Sequence, residues 1–229
     1  LKKSLLDENG SIRGFVNLFV GDDDIRGLEK ENTSLEETSV LSIIPAIAGG
    51  SGGEEVTFSK EELARYNRHI IIPDFGLDAQ KKLKSSKVLV VGSGGLGSPV
   101  LLYLAAAGVG TIGIVDFDVV DDSNLQRQVL FGIEDIGSLK VDAARKRLEQ
   151  LNPYINIVTH NVQLTSKNAL EILSQYDVVA DGTDNFPTRY LVNDASVLAG
   201  IPNVYASIFQ FEGQVSVFNY TDKNGVTGP

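Results

Sequence analysis

The sequence predicts an α/β protein built on a doubly wound, mainly parallel sheet, on three observations. Short segments that are apolar on both faces recur along the chain. Stretches whose apolar residues follow helical spacing separate them. One junction between the two is the glycine-rich turn Gly92-Ser93-Gly94-Gly95-Leu96-Gly97. Strands covered on both faces and alternating with helices are the pattern of a parallel sheet layered by helices on either side.

Taken in order, residues 15–20 and 40–45 read as two short strands, with Gly21-Asp22-Asp23-Asp24 supplying turn chemistry between them. Two strands do not make an independent core, so this segment is incomplete or leans on the rest. Residues 49–53, Gly-Gly-Ser-Gly-Gly, predict a flexible joint. Ser59-Lys60-Glu61-Glu62 is a capping box that opens a helix through Tyr66. Then follow a strand at 88–91, a helix at 98–107 and a strand at 112–117. Val141, Ala144, Leu148 and Leu151 fall on one face of a helix stopped by Asn152-Pro153. Strands at 155–164, 178–180 and 204–208 alternate with helices at 168–175 and 190–198, and residues 215–218 add an antiparallel strand after the Glu212-Gly213 turn. The expected organisation is an N-terminal segment at 1–50, a linker at 51–58 and the α/β domain at 59–229.

Composition narrows the functions. The 229 residues carry 30 acidic against 20 basic side chains, a net charge of −10 that disfavours a nucleic-acid partner. Cysteine is absent, which excludes disulfides, thiolate zinc and a cysteine nucleophile, and His69 and His160 are the only histidines. A metal here is expected to be a hard one held by carboxylates. The longest apolar run, 100–115, is short and interrupted by glycine, so no membrane span is expected. The start lacks the apolar core of a signal peptide, and the cytoplasm is the expected compartment. Leu1 and the lack of methionine predict a piece of a longer reading frame, artificial at both ends.

The glycine turn follows a strand and opens a helix, the context in which its backbone N–H groups and the helix dipole face an anion. Gly92 permits the tight turn, Gly94 lets backbone approach a phosphate, and Gly97 lets the helix pack on the strand. Asp116, at the end of the next strand, is placed to accept from ribose hydroxyls. Asp118 and the stretch Ser123-Asn124-Leu125-Gln126-Arg127-Gln128 follow at the sheet edge where ligands of open α/β folds bind, and Lys140 opens the next helix. Arg127 and Lys140 are either ligand-facing or ordinary solvated charges. Asp181-Gly182-Thr183-Asp184-Asn185 places two carboxylates just past a strand; Asp184 either holds Mg²⁺ or caps the following helix. A dinucleotide's pyrophosphate is served by the glycine turn, whereas a triphosphate calls for the added cations and a metal, which favours ATP.

These residues, together with Arg65-Tyr66-Asn67-Arg68-His69, resemble the motif series of the ThiF/MoeB-type sulfur-carrier adenylyltransferases, relatives of ubiquitin-activating enzymes in molybdopterin and thiamine biosynthesis. The resemblance spans about residues 57–229, and the wording of 110–120 is closest to the MoeZ type, which carries a C-terminal rhodanese domain. It implies an enzyme that adenylylates the C-terminal glycine of a ubiquitin-like carrier with ATP and Mg²⁺. It further implies that Gly92, Gly94, Gly95, Gly97, Asp116, Asp118, Ser123, Asn124, Leu125, Gln126, Arg127, Lys140, Asp184 and Asn185 surround the nucleotide, with Asp184 on Mg²⁺. Arg68, Arg127, Lys140 and Asp184 are the implied catalytic set, Arg68 reaching into the neighbouring subunit of a homodimer. Many members bind a structural zinc through two Cys-x-x-Cys pairs, for which this chain has no ligands. The first 50 residues are similar to the second half of a β-grasp sulfur carrier of the MoaD/ThiS/CysO type, whose Gly-Gly end is the usual substrate; here Gly50 is followed by Ser51. Without cysteine the chain cannot deliver sulfur, so a rhodanese domain or a cysteine desulfurase is the implied donor. Two other readings remain at this stage: an NAD-dependent oxidoreductase, and a nucleotide-binding scaffold without catalysis.

Overall fold

The computed structural model describes residues 16–20, 23–25, 33–36, 39–45, 56–222, 225 and 228. The joint at 49–53 lies outside them. Near the N-terminus, β1 (Val16–Val20) pairs antiparallel with both β2 (Asp23–Asp24) and β3 (Leu41–Pro45), in the order β2-β1-β3. Asp23 and Asp24 are therefore strand residues, opposite Val20 and Phe19, rather than part of a turn.

The larger unit is a six-stranded sheet with the order β6-β5-β4-β7-β8-β9, where β4 is Lys87–Val91, β5 Thr111–Val115, β6 Asn156–His160, β7 Val178–Asp181, β8 Asn203–Phe209 and β9 Glu212–Phe218. All neighbours are parallel except β9, which runs antiparallel to β8. Among the described residues the α-helices are α1 (Lys60–Ile70), α2 (Gly76–Ser85), α3 (Gly97–Ala107), α4 (Lys140–Leu151), α5 (Ala169–Leu173) and α6 (Phe186–Ala199). None is long and apolar enough to cross a membrane.

Pleating explains the doubly apolar strands. Val90 enters one core with Leu101, Ile112, Ile114, Val141, Ala144 and Leu148, which come from β5, α3 and α4. Its neighbours Leu89 and Val91 enter the core on the other face with Leu173, Tyr176, Val179 and Val192. The capping box is present: Ser59 Oγ accepts from Glu62 N at 3.1 Å, and Glu62 Oε2 accepts from Ser59 N at 2.9 Å. The helix it opens runs past Tyr66 to Ile70. α2 carries no apolar stripe that would have announced it. Its buried anchor is polar: Gln80 is fully enclosed and donates to Ala107 O at 2.8 Å.

Several boundaries shift for local reasons. β5 stops at Val115; the Asp116 N–H still reaches His160 O at 3.3 Å, while its side chain accepts from the glycine turn. β6 spans only 156–160 of the expected 155–164. α6 starts at Phe186, four residues earlier than expected, because Asn185 caps it and Pro187 stands in its first turn. The chain order β4, β5, β6 and then β7 returns to the other side of β4. A crevice therefore opens beyond the carboxyl ends of β4, β5 and β7, where strand order reverses.

Candidate functional site

That crevice holds a cavity of about 490 Å³. The glycine turn forms one wall. Gly92 has φ 86°, a conformation that L side chains rarely adopt, and its own carbonyl explains Gly97: a Cβ on Gly97 would lie 1.8 Å from Gly92 O. Gly94 and Gly95 face the cavity, and a Cβ on Gly95 would meet Arg127 Cδ at 3.4 Å. The N-cap position of α3 is Leu96, no side chain caps it, and its first turn holds no acid. Ser98 N is bonded to Gly94 O at 2.8 Å, and the N–H groups of the turn before it, with the positive end of the dipole, are left for an anion.

Asp116 and Asp118 line the floor. Asp116, 9% exposed, accepts at Oδ2 from Ser93 N (2.8 Å) and Ser93 Oγ (2.7 Å), and at Oδ1 from Asp118 N (3.0 Å). Its first task is to brace the glycine turn, which leaves Oδ1 one lone pair for a hydroxyl. Lys140 is not a solvated charge. Its side chain is 6% exposed and its Nζ donates to Asp118 Oδ2 at 3.0 Å, with Asp118 half exposed. Burial of an ammonium beside a single water-facing carboxylate leaves its other donors for a further anion.

Of the segment 123–128, Arg127 and Gln128 line the cavity, and Ser123, Asn124, Leu125 and Gln126 do not. Ser123 is bonded to Asp121, Leu125 packs against the core, and Gln126 Nε2 donates to Ser123 O at 3.0 Å. These residues shape the turn that carries Arg127, which is exposed and lies across Gly95 with its Nη1 3.1 Å from Gln126 Oε1. Gln128 is 4% exposed, and its buried Oε1 accepts no hydrogen bond from the described residues. Gly97 sits beneath the turn, and Arg68 is exposed on α1, outside the cavity lining.

The opposite wall is the loop between β7 and α6. Asn185, not Asp184, is the N-cap: its Oδ1 accepts from Thr188 N at 3.0 Å and from Thr188 Oγ1 at 2.7 Å. Asp184 is exposed at the cavity and has no hydrogen-bond partner among the described residues, so the helix-capping alternative fails for it. Asp181 is 2% exposed; its Oδ1 accepts from Thr183 N and Oγ1, while the buried Oδ2 has no partner among the described residues. Burial pushes the Asp181 carboxyl above its ordinary range, against the opposing pull of the Thr183 bonds and the Arg189 charge. Arg189, which no motif announced, also lines the cavity, as do Thr183, Gln163 and Ile208. Its place five residues past Asp184, in the first turn and a half of α6, is the signal that was available.

Among the described residues no group of three or more His, Asp or Glu forms a ready metal site. Asp184, an exposed carboxylate at the cavity without a hydrogen-bond partner among the described residues, is the group of that loop that would hold a hard cation.

Residues 66–227 match the model of the ThiF family. The chain is similar to a probable adenylyltransferase/sulfurtransferase MoeZ of Mycobacterium tuberculosis, 62% identical over 160 residues, covering 70% of this chain and 41% of that protein. It is also similar to the sulfur carrier protein adenylyltransferase of Thermus thermophilus, 55% identical over 172 residues, covering 75% of this chain and 64% of that one. The chain thus spans less than two thirds of these curated relatives. Among solved structures, the E. coli tRNA N6-threonylcarbamoyladenosine dehydratase TcdA in complex with ATP aligns with a TM-score of 0.62 at 26% identity, over 65% of this chain and 61% of that one.

Proposed function

The chain belongs to the ThiF family, and on that footing we propose that it adenylylates the C-terminal glycine of a ubiquitin-like sulfur carrier with ATP. The observation that carries this reading is the union of a backbone phosphate cradle with the buried Lys140 and the overlying Arg127 in one cavity. That is more positive charge than a pyrophosphate needs.

In the proposed step a carrier carboxylate oxygen attacks the α-phosphorus, the bond from that phosphorus to the bridging oxygen breaks, and pyrophosphate leaves. Both reactants are anions, so the chain's contribution is positioning and electrostatic preorganisation. Turn N–H groups, Lys140 and Arg127 stabilise charge as it moves toward the leaving pyrophosphate, and Asp116 holds the turn and a ribose hydroxyl. Mg²⁺ held through Asp184 would supply further neutralisation of the phosphates. No general base is required. The resulting acyl-adenylate is activated for attack by sulfur, which must come from a rhodanese domain or a cysteine desulfurase, because the chain has no cysteine.

The homodimer, with Arg68 completing the neighbouring site, and the cytoplasmic location belong to the same proposal. So does the division at 1–50, 51–58 and 59–229, in which the first part is a carrier segment. The antiparallel pairing of β1 with β2 and β3 supports that last reading. ATP–pyrophosphate exchange, measured with a separate carrier ending in a free Gly-Gly, tests the activity. Carrier-dependent exchange that Asp184→Ala abolishes is expected; ATP binding without exchange would reduce the chain to a scaffold.

A further inference from the structure

Arg189 lines the cavity, and its hydrogen bonds go to the β7–α6 loop and to β8. Nε and Nη2 both donate to Thr183 O, at 3.1 and 2.9 Å, and Nη1 lies 3.5 Å from the Tyr205 hydroxyl. The guanidinium also stands 5.8 Å from the Phe186 ring centre and 5.5 Å from that of Tyr205. From the other side, Asp181 Oδ1 takes the Thr183 N–H at 2.9 Å and its hydroxyl at 2.7 Å. Every polar group of Thr183 is thereby fixed, and Asn185 is committed to Thr188. Asp184 lines the cavity with no hydrogen-bond partner among the described residues, the one carboxylate of the lining in that loop.

We propose that Arg189 is a positioning residue for Asp184: by clamping the Thr183 carbonyl it holds the β7–α6 loop so that the Asp184 carboxylate is presented to the nucleotide. Two physical reasons require a forked, delocalised cation here. A carboxylate on a loose loop would lose conformational entropy on each binding event. An unengaged cation five residues away would also pair with it and draw it aside. Arg189 spends its charge on a carbonyl and two ring faces instead, bonding that the single ammonium of lysine does not reproduce. The geometry stands on its own; its consequence for nucleotide binding rests on the adenylylation reading.

The test combines amide hydrogen exchange with calorimetric titration of Mg-ATP in the unaltered chain, Arg189→Lys, Asp184→Asn and the double variant. Arg189→Lys keeps the charge and loses the fork. It is expected to raise exchange at the Thr183 amide, which donates to Asp181, about tenfold, as for loss of one charge-assisted hydrogen bond, and to weaken Mg-ATP by a similar factor. In the Asp184→Asn background the same change is expected to alter Mg-ATP affinity less than about twofold, the signature of two residues acting as one unit. Equal weakening in both backgrounds, or unchanged exchange at the loop, would overturn the proposal. Phe186→Leu, at an exposed position, removes one ring face without risking the fold and should shift loop exchange in the same direction by less; no shift would count against the clamp. Failure of the unaltered chain to bind Mg-ATP would sink the adenylylation reading, while the exchange data would still decide the clamp.

Discussion

On one wall of the cavity Gly92, Gly94, Gly95 and Leu96 offer backbone; on the other, Thr183, Asp184, Asn185 and Arg189 offer side chains, with Asp181 buried behind them. The first wall works because side chains are missing, so its failure mode is steric. The second works because a buried carboxyl and a guanidinium hold one threonine from both sides, so its failure mode is loss of a bond. A wall made of backbone is rigid by exclusion, and one made of side chains is rigid only while its partners are all in place.

The sharpest contrast is Gly97→Ala. Because the new Cβ would sit 1.8 Å from Gly92 O, a backbone atom that cannot swing aside, unfolding in urea should show a loss of about 3 kcal/mol. A stability within experimental error of the unaltered chain would break the steric account of that wall. Next in size are Arg127→Ala and Lys140→Met, each expected to cost roughly 3 kcal/mol of transition-state stabilisation in pyrophosphate exchange. Lys140→Met should leave stability nearly unchanged, because Asp118 is half exposed and stays hydrated. Less than a tenfold change in exchange for Arg127→Ala would return that residue to the solvated surface.

On the side-chain wall the effects are smaller. Asn185→Ala removes the α6 cap and should cost about 1 kcal/mol in thermal unfolding, with Asn185→Asp restoring it. The smallest effect is one of slope. Burial holds the Asp181 carboxyl above its ordinary range, so the folded chain keeps a proton that the unfolded chain has released. That contribution is present below the ordinary carboxylate pKa and is lost as pH rises through the folded value. Asp181→Asn should flatten the melting temperature across that window, and an unchanged slope would mean that the carboxyl titrates normally.

This division also governs what the sequence discloses. The glycine turn is legible because φ near 86° at Gly92 and the close approach at Gly97 demand one residue type at a fixed place after an apolar strand. The parallel sheet is legible from doubly apolar segments such as 88–91. α2 is not, because its one fully buried residue is an amide, Gln80, and only Leu83 of its apolar residues packs on the main core. Arg189 is hidden for a similar reason: an arginine in a helix looks like a solvated charge until its carbonyl partner is seen. Lys140 shows the reverse, since composition alone favours exposure and only the fold reveals its burial. Asp184 and Asn185 are indistinguishable as caps in sequence, and the geometry alone divides their roles.

The central claim, a cleft shaped for a triphosphate, is tested most directly by calorimetric titration of the chain with Mg-ATP and, separately, with NAD⁺. Saturable Mg-ATP binding that weakens sharply in Lys140→Met, with no heat from NAD⁺, is the expected result. Tight NAD⁺ binding and none for Mg-ATP would contradict it.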